Sequence, residues 1–386
     1  MEHRVTIKEI AAEAGVSTGT VHRALYGKKG LSEQTRQQIL DLCARRGYRA
    51  NSAASALKRS ALRIAAAFPG PQEENSYFYG SVWHGFRRCM AELDDYNLEV
   101  LELPYYPGTE RGQAETLNAC FEQYGGKIDA LLTIGPTEDT ARRAVQRYSS
   151  AGTPVFFACD DAEGCGRIAC VQADHDMAGR IAAELLSAQL SPGDAVLLCA
   201  GDAHTPSHYR MAAGFEAYLR ENSVPLTLVR ADGYHDKQEL ALRLRRTLAE
   251  DARISGAFSV SARLSVLLAD AVAQMGRAGQ VRVVASDLFG ETVRNMEEGL
   301  VQNILYKDPA QQGYLAARLM GDFVLRGIQP PAGVHYVESR VIFKSSLAYY
   351  RASGAVCPSI HQKGAKQKWN NCAMRHLKRP DIPAIC

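Results

Sequence analysis

Ser17, Thr18, Thr20 and Arg23 place three hydroxyls and a guanidinium within two helical turns, with Gly19 and His22 among them. Hydroxyls donate to phosphate oxygens, and a guanidinium can grip either a phosphate or the edge of a guanine. The stretch TIKEIAAEAGVSTGTVHRAL, residues 6–25, supplies the scaffold such chemistry needs. Thr6 can cap a first helix, and Glu9 three residues on completes a capping box. Ile7, Ile10, Ala11 and Ala14 put apolar groups on one face. Gly15 permits a sharp left-handed exit, Val16 packs back, and Ser17 can cap a second, shorter helix. This pattern predicts a helix-turn-helix whose second helix reads a DNA groove. The competing reading is an ordinary αα-hairpin buried in a core. The loop YGKKG at 26–30 suits phosphate contact, and a third helix is expected from about Ser32 to Arg46,.

A second set of polar residues lies just after apolar runs: Asn75, Asp160, Asp161, Asp174, Ser261 and Asp287. Those runs fall at 63–68, 98–103, 129–134, 153–158, 169–172, 195–200, 226–230, 256–260 and 281–285. Amphipathic stretches such as 138–151, 175–190, 209–223, 236–250 and 262–276 separate them. Strands alternating with helices imply parallel sheets, and the strand count implies two similar halves. Ligands bind such sheets beyond the carboxyl ends of the strands. The alternative for each carboxylate there is a helix N-cap.

The 386 residues suggest more than one domain, and 46% hydrophobic content is enough to bury sizeable cores,. The net charge of +3 conceals an uneven distribution. Residues 1–60 hold 11 Lys and Arg against 5 Asp and Glu, residues 351–386 hold 7 against 1, and the rest is acidic. A basic head on an acidic body predicts that the head meets a polyanion and the body does not. No apolar run is long enough to span a membrane, and MEHRVTIKEI lacks the apolar segment of a secretory signal, so a cytoplasmic location is expected,. The ten cysteines include no CxxC pair, and Cys43, Cys89, Cys159, Cys170 and Cys199 read as buried hydrophobes,. Cys357 and His361, like Cys372 and His376, repeat a spacing that could ligate zinc but matches no familiar zinc module. No metal and no cofactor are expected. Residues 48–60, YRANSAASALKRS, read as a linker whose Asn51, Ala54 and Leu57 would share one side of a short helix.

VTIKEIAAEAGVSTGTVHRAL, LSEQTRQQIL and GYRANSAASAL follow one another in the head, and NSYF, AD at 173–174, RMAAGF at 210–215, ASDLF at 285–289 and YKDPAQQGYLAARL at 306–319 mark the body. In these motifs the chain resembles the LacI/GalR family of bacterial transcriptional repressors, over roughly residues 4–343. The resemblance implies an all-α helix-turn-helix domain (1–49), a hinge helix (50–60), and a two-lobed α/β periplasmic-binding-protein-like domain with parallel sheets for effector binding and dimerisation (61–343). A basic, disordered tail (344–386) is expected beyond it. The implied function is a sequence-specific repressor, not an enzyme. It would bind a near-palindromic operator as a homodimer, under control of a small effector, a sugar or related metabolite. The alternative is a solute-binding protein without DNA function.

By the same resemblance, Thr18 and Gly19 occupy base-reading positions and Arg23 is the candidate for a bidentate guanine contact. Thr6, Ser17, Thr20 and Lys28 are placed to hold phosphates. His22 could reach a phosphate or base, or point to solvent. Leu57 would enter the minor groove, with Asn51 and Ala54 keeping its spacing; the alternative is an interdomain contact. Gly19 departs from the large reading side chain common in the family, so Thr18, His22, Arg23 and DNA deformability must carry recognition. For the effector, Asn75, the rings of Tyr77 and Phe78, Asp160 and Asp287 carry over, the alternative for the rings being lobe packing. Asp161, Ser261, Lys307 and Arg210 depart from the sugar-binding pattern, and Met211 rather than Arg210 could take the usual arginine position. Lys307 and Arg210 could face an acidic or phosphorylated sugar, or else pair with Asp160 or Asp161.

Overall fold

The computed structural model describes residues 5, 7–25, 30–46, 61–125, 127–233, 236–352, 354 and 356. The head contains α1 (Ile7–Glu13), α2 (Thr18–Leu25) and α3 (Glu33–Arg45). Ile10, Ala11, Val21, Ala24, Ile39, Leu42 and Cys43 meet in one small core, with Val16 packed against it. Gly15 takes φ +65°, the left-handed exit expected between α1 and α2,. The Ser32 hydroxyl caps α3 by accepting from Thr35 N, and Arg46 at its other end reaches Glu13 at 3.1 Å. The expected cap Thr6 and the hinge at 50–60 lie outside the described residues.

The body runs β1 (Leu62–Ala67), a 3-10 turn (Glu73–Tyr77), α4 (Tyr79–Glu92), β2 (Leu98–Glu102), α5 (Glu110–Tyr124), β3 (Ala130–Thr133), α6 (Asp139–Ser150), β4 (Val155–Ala158) and β5 (Arg167–Ala173). It continues through α7 (His175–Ser187), β6 (Ala195–Gly201), α8 (Pro206–Glu221), β7 (Thr227–Asp232), α9 (Lys237–Glu250), β8 (Ile254–Ser259), α10 (Ala262–Gln274), β9 (Arg282–Ser286), α11 (Gly290–Glu297) and β10 (Asn303–Tyr306). It ends with α12 (Pro309–Arg326), β11 (Gly333–Val337), β12 (Arg340–Phe343), a 3-10 turn (Lys344–Ser346) and α13 (Leu347–Ala352).

Two six-stranded sheets form, in the orders β11-β5-β4-β3-β1-β2 and β12-β10-β9-β8-β6-β7. β12 runs antiparallel to β10, and the other described pairings are parallel. All nine apolar runs are strands. The chain passes between lobes three times: from β5 to α7, from β10 to α12, and from β11 to β12. In the first lobe Ile64 and Ala66 face one core, while Ala65 and Ala67 face another. Both faces of that sheet are covered, which is why its strands read as continuous apolar runs rather than alternating ones.

Each lobe carries one very close helix pair. A Cβ on Gly85 in α4 would stand 1.8 Å from the Ala310 carbonyl oxygen, and one on Gly313 in α12 would stand 2.3 Å from that of Val82. In the second lobe, Gly179 of α7 meets the Met211 carbonyl at 2.0 Å, and Gly214 of α8 meets that of Asp176 at 2.2 Å. Backbone sits on backbone at both places, so only glycine fits. α12 begins at one interlobe crossing and α7 at another, so these contacts set where their leading residues stand.

The expected start of the tail at 344 needs correction. Lys344–Ser346 and Leu347–Ala352 fold onto the second lobe. Leu347 is buried, the Tyr350 ring stands edge-on to Tyr306 at 6.0 Å, and Arg351 pairs with Glu297 at 2.6 Å. LAYY is too short to show periodicity, but it docks on a core already built. Residues 357–386, with Cys357, His361, Cys372 and His376, lie outside the described residues. The described cysteines are buried and free. No described helix is long and apolar enough to cross a membrane.

Candidate nucleic-acid interface and interlobe site

On α2, Val21 and Ala24 point into the head core while Ser17, Thr18, Gly19 and Arg23 are exposed. The inward and outward sides follow from the 3.6-residue period. Ser17 Oγ caps the helix by accepting from Thr20 N at 3.1 Å, and it lies 2.9 Å from Thr20 Oγ1. Arg23 Nη2 donates to Thr20 Oγ1 at 3.2 Å. A Cβ on Gly19 would meet only Ser17 Oγ, at 3.7 Å. Among the described residues nothing in the head therefore demands glycine there, and the open space lies on the same outward side as Arg23. Thr6, Lys28, Asn51, Ala54, Leu57 and the His22 side chain lie outside what is described.

The polar residues at strand ends fall mainly into caps and a buried to half-buried cluster. Asp174 caps α7 by accepting from Met177 N at 3.0 Å, and Ser261 caps α10 by accepting from Leu264 N at 3.5 Å. Asp161 is engaged by Arg167 through both carboxylate oxygens. The cluster consists of Asp160, His175, Ser207, Asp287, Lys307 and Gln312. Asp287 stands just past β9 at φ +67°, held there by Thr292 Oγ1 donating to its carbonyl at 2.9 Å. Its Oδ2 lies 2.8 Å from Lys307 Nζ, with both side chains at most 5% exposed. Lys307 therefore pairs with Asp287, not with Asp160 or Asp161 as was open from sequence. The reason is topological: β9 and β10 are parallel neighbours, so the residues just past their ends meet. Gln312 Nε2 donates to the Lys307 carbonyl at 2.7 Å and fixes the crossing.

Asp160, just past β4 in the first lobe, accepts from Ser207 Oγ of α8 in the second lobe at 3.2 Å. A second cross-lobe contact stacks Tyr77 on Phe289 at 4.3 Å and 20°. Tyr77, Ala262 and Phe289 form a small apolar cluster of their own. Tyr77 thus takes the lobe-packing role rather than presenting a free ring. Phe78 is half-buried, with Lys307 Nζ 5.9 Å from its ring centroid. Asn75 lies against Gly108, where a Cβ would come 2.2 Å from its amide nitrogen. Arg210 is exposed on α8 and its charge reaches Asp160, whereas Met211 is buried in the second-lobe core and faces no cleft. Sequence reasoning missed Ser207, His175, Gln312 and Phe289. His175 follows Asp174 directly, Phe289 ends the quoted ASDLF and Gln312 lies within the quoted YKDPAQQGYLAARL, so a signal was present for those three.

Burial dominates the electrostatics here. It pushes the Asp160 carboxyl up to about 7, against the opposing pull of Ser207, Arg210 and Lys307,. Burial, with Lys307 nearby, pushes His175 and His208 down to about 3. Both histidines are neutral at physiological pH. His175 Nε2 donates to the Cys159 carbonyl at 3.2 Å and stands 3.8 Å from Asp160. Asp160 Oδ1, Asp287 Oδ1 and Gln312 Oε1 are buried acceptors without a hydrogen-bond partner. Such atoms call for donors, which a hydroxyl-rich ligand supplies.

A pH signature follows. Because Asp160 binds its proton more tightly in the folded chain, its contribution to stability is complete below the ordinary aspartate value of 3.8 and is lost as pH rises through about 7,. The two histidines act oppositely: their contribution is complete above the ordinary value of 6.5 and is lost as pH falls to about 3,. Comparing wild type with Asp160→Asn isolates the carboxyl. The variant should gain melting temperature over wild type on going from about pH 5 to about pH 8. A difference between the two proteins that does not change with pH would reject the assignment.

Comparison with known proteins agrees with both halves. The profile for bacterial regulatory proteins of the lacI family matches residues 6–51, and that for a periplasmic binding protein domain matches residues 66–327. Catabolite control protein A of Priestia megaterium is 23% identical over 260 residues, covering 66% of this chain and 73% of that protein. The HTH-type transcriptional regulator GntR of Pseudomonas aeruginosa is 32% identical over 186 residues, covering 48% of this chain and only about half, 51%, of that protein. A solute-binding protein of an ABC transporter from Agrobacterium vitis, solved with alpha-D-tagatopyranose, superposes with a TM-score of 0.67 at 20% identity, covering 77% of this chain and 100% of that one.

Proposed function

The chain belongs to the lacI family of bacterial regulatory proteins and carries a periplasmic binding protein domain, and on that premise we propose that it is a sequence-specific transcriptional repressor whose operator binding is controlled by a small carbohydrate held between the two lobes. The observation that carries the DNA half is the exposed Ser17, Thr18, Gly19 and Arg23 face of α2, presented by a small helical core and placed in a basic head. One copy reads one half-site, so a homodimer on a near-palindromic operator is the matching arrangement, working in the cytoplasm where the DNA is. No catalytic role is proposed, and the two relatives compared by sequence are named as a catabolite control protein and a transcriptional regulator.

The effector half rests on the buried acceptors Asp160 and Asp287 at facing strand ends, on Gln312 at the crossing, and on a fold shared with a tagatopyranose-bound protein. Lys307 has its charge matched by Asp287, which favours a neutral polyol over an anionic sugar at that position. Ligand binding would alter Ser207–Asp160 and Tyr77–Phe289, the contacts that set the lobe angle and through it the separation of two heads.

The test is a gel shift on the DNA upstream of the neighbouring genes, at several salt concentrations and with and without candidate sugars. A sequence-specific shift that a neutral sugar changes is expected. Sugar binding without any specific shift would favour the alternative, a solute-binding protein, since the body alone fits both roles.

A further inference from the structure

We propose that Thr20 is a positioning residue for DNA reading: it orders the Arg23 guanidinium on the outward face of α2 through a hydrogen-bond chain that ends at Ser17. The inference rests on the DNA-binding reading above and assigns Thr20 a different task from the phosphate contact that resemblance implies. The hydrogen-bond geometry leads there. Arg23 Nη2 donates to Thr20 Oγ1 at 3.2 Å, and Thr20 Oγ1 lies 2.9 Å from Ser17 Oγ, which also accepts from Thr20 N at 3.1 Å. Either hydroxyl can donate across the Ser17–Thr20 pair, and in both arrangements all three bonds are satisfied and Thr20 Oγ1 still accepts from Arg23,. Arg23 retains its other N–H groups, enough for a bidentate contact to guanine O6 and N7.

The physical gain is pre-organisation. A free arginine side chain loses substantial rotamer freedom when it docks on a base, and an arginine already held loses less. Gly19 beside it offers no side chain to steer Arg23, so the steering must come from within the turn. The chain also joins the base reader to the phosphate anchor, so the register set by Ser17 fixes where Arg23 points.

The experiment uses the full chain and a duplex that the wild-type protein selects from a random library. Affinity is measured by fluorescence anisotropy for that duplex and for a scrambled one, across salt, for wild type, Thr20→Val, Thr20→Ser, Arg23→Ala and the Thr20→Val/Arg23→Ala double variant. Valine keeps the branched shape and removes the hydroxyl. Thr20→Val should weaken binding to the selected duplex about fivefold, leave the scrambled duplex unchanged, and add little in the Arg23→Ala background. Thr20→Ser should restore wild-type discrimination. The inference is overturned if Thr20→Val weakens both duplexes equally, the mark of a lost sequence-independent phosphate contact, or if its effect adds in full to that of Arg23→Ala. A melting curve of Thr20→Val, with the serine variant beside it, separates a loosened head from lost positioning. If the wild-type chain selects no duplex at all, the DNA-binding reading itself fails, a result distinct from the other two.

Discussion

Lys307→Met should lower the unfolding free energy by about 3–5 kcal/mol, the usual cost of leaving one member of a buried ion pair alone. Nζ lies 2.8 Å from Asp287 Oδ2, and neither side chain exceeds 5% exposure. Without the ammonium, the Asp287 carboxylate stays in a pocket that cannot hydrate it, on a backbone already in the left-handed region. Pairing Lys307→Met with Asp287→Asn removes the orphaned charge and should restore much of the loss. Urea denaturation followed by circular dichroism on the three variants and wild type gives the answer. A loss below about 1 kcal/mol for Lys307→Met, as for an exposed pair, would show that the pair is solvated and the cleft open at its floor.

Arg23→Ala should cost about 1–3 kcal/mol on the operator and far less on random DNA. The reasoning is one of elimination on a short helix. Val21 and Ala24 are committed to the core, Gly19 has no side chain, and the Thr18 hydroxyl reaches only a short way. Arg23 is the long, donor-rich side chain on the outward face. Anisotropy titrations on both duplexes at matched salt provide the check. Equal losses on the two would mean that Arg23 holds phosphate, and base recognition would then have to come from Thr18, His22 or DNA shape.

Both results bear on one coupling. The head reads DNA, the Asp287–Lys307 pair sits at a crossing between lobes, and Asp160 and Tyr77 each touch a residue of the opposite lobe. A ligand that takes donor positions around Asp160 competes with Ser207, so the energy of those contacts is what an effector has available to shift the lobes.

How much was legible beforehand depends on the range of the interaction. Local signals were sound. Gly15 marked the turn, Ser17 marked a cap, and each of nine apolar runs became a strand, because caps and burial of a sheet are written within a few residues. The cap at Asp174 could be named as an alternative for the same reason, whereas the cap at Ser261 was not foreseen. β10, β11 and β12 escaped the reading: strands of four or five residues, two of them at sheet edges, carry too little pattern to stand out. α13 escaped likewise, since its LAYY is apolar only in relation to the core that receives it.

From the sequence alone come the two-part architecture, the outward and inward faces of α2, and the positions just past strand ends where a ligand would sit; each follows from periodicity or from a cap. Only the tertiary structure decided which of those residues meet. Lys307 turned to Asp287 because β9 and β10 are neighbours, Asp161 to Arg167, Asp160 across to Ser207, and Tyr77 onto Phe289. A charge written in sequence has many possible partners, and the order of strands in a sheet is what selects one. On that choice depends whether a lysine in the cleft is a receptor for an anion or, as here, the neutralised half of a buried pair.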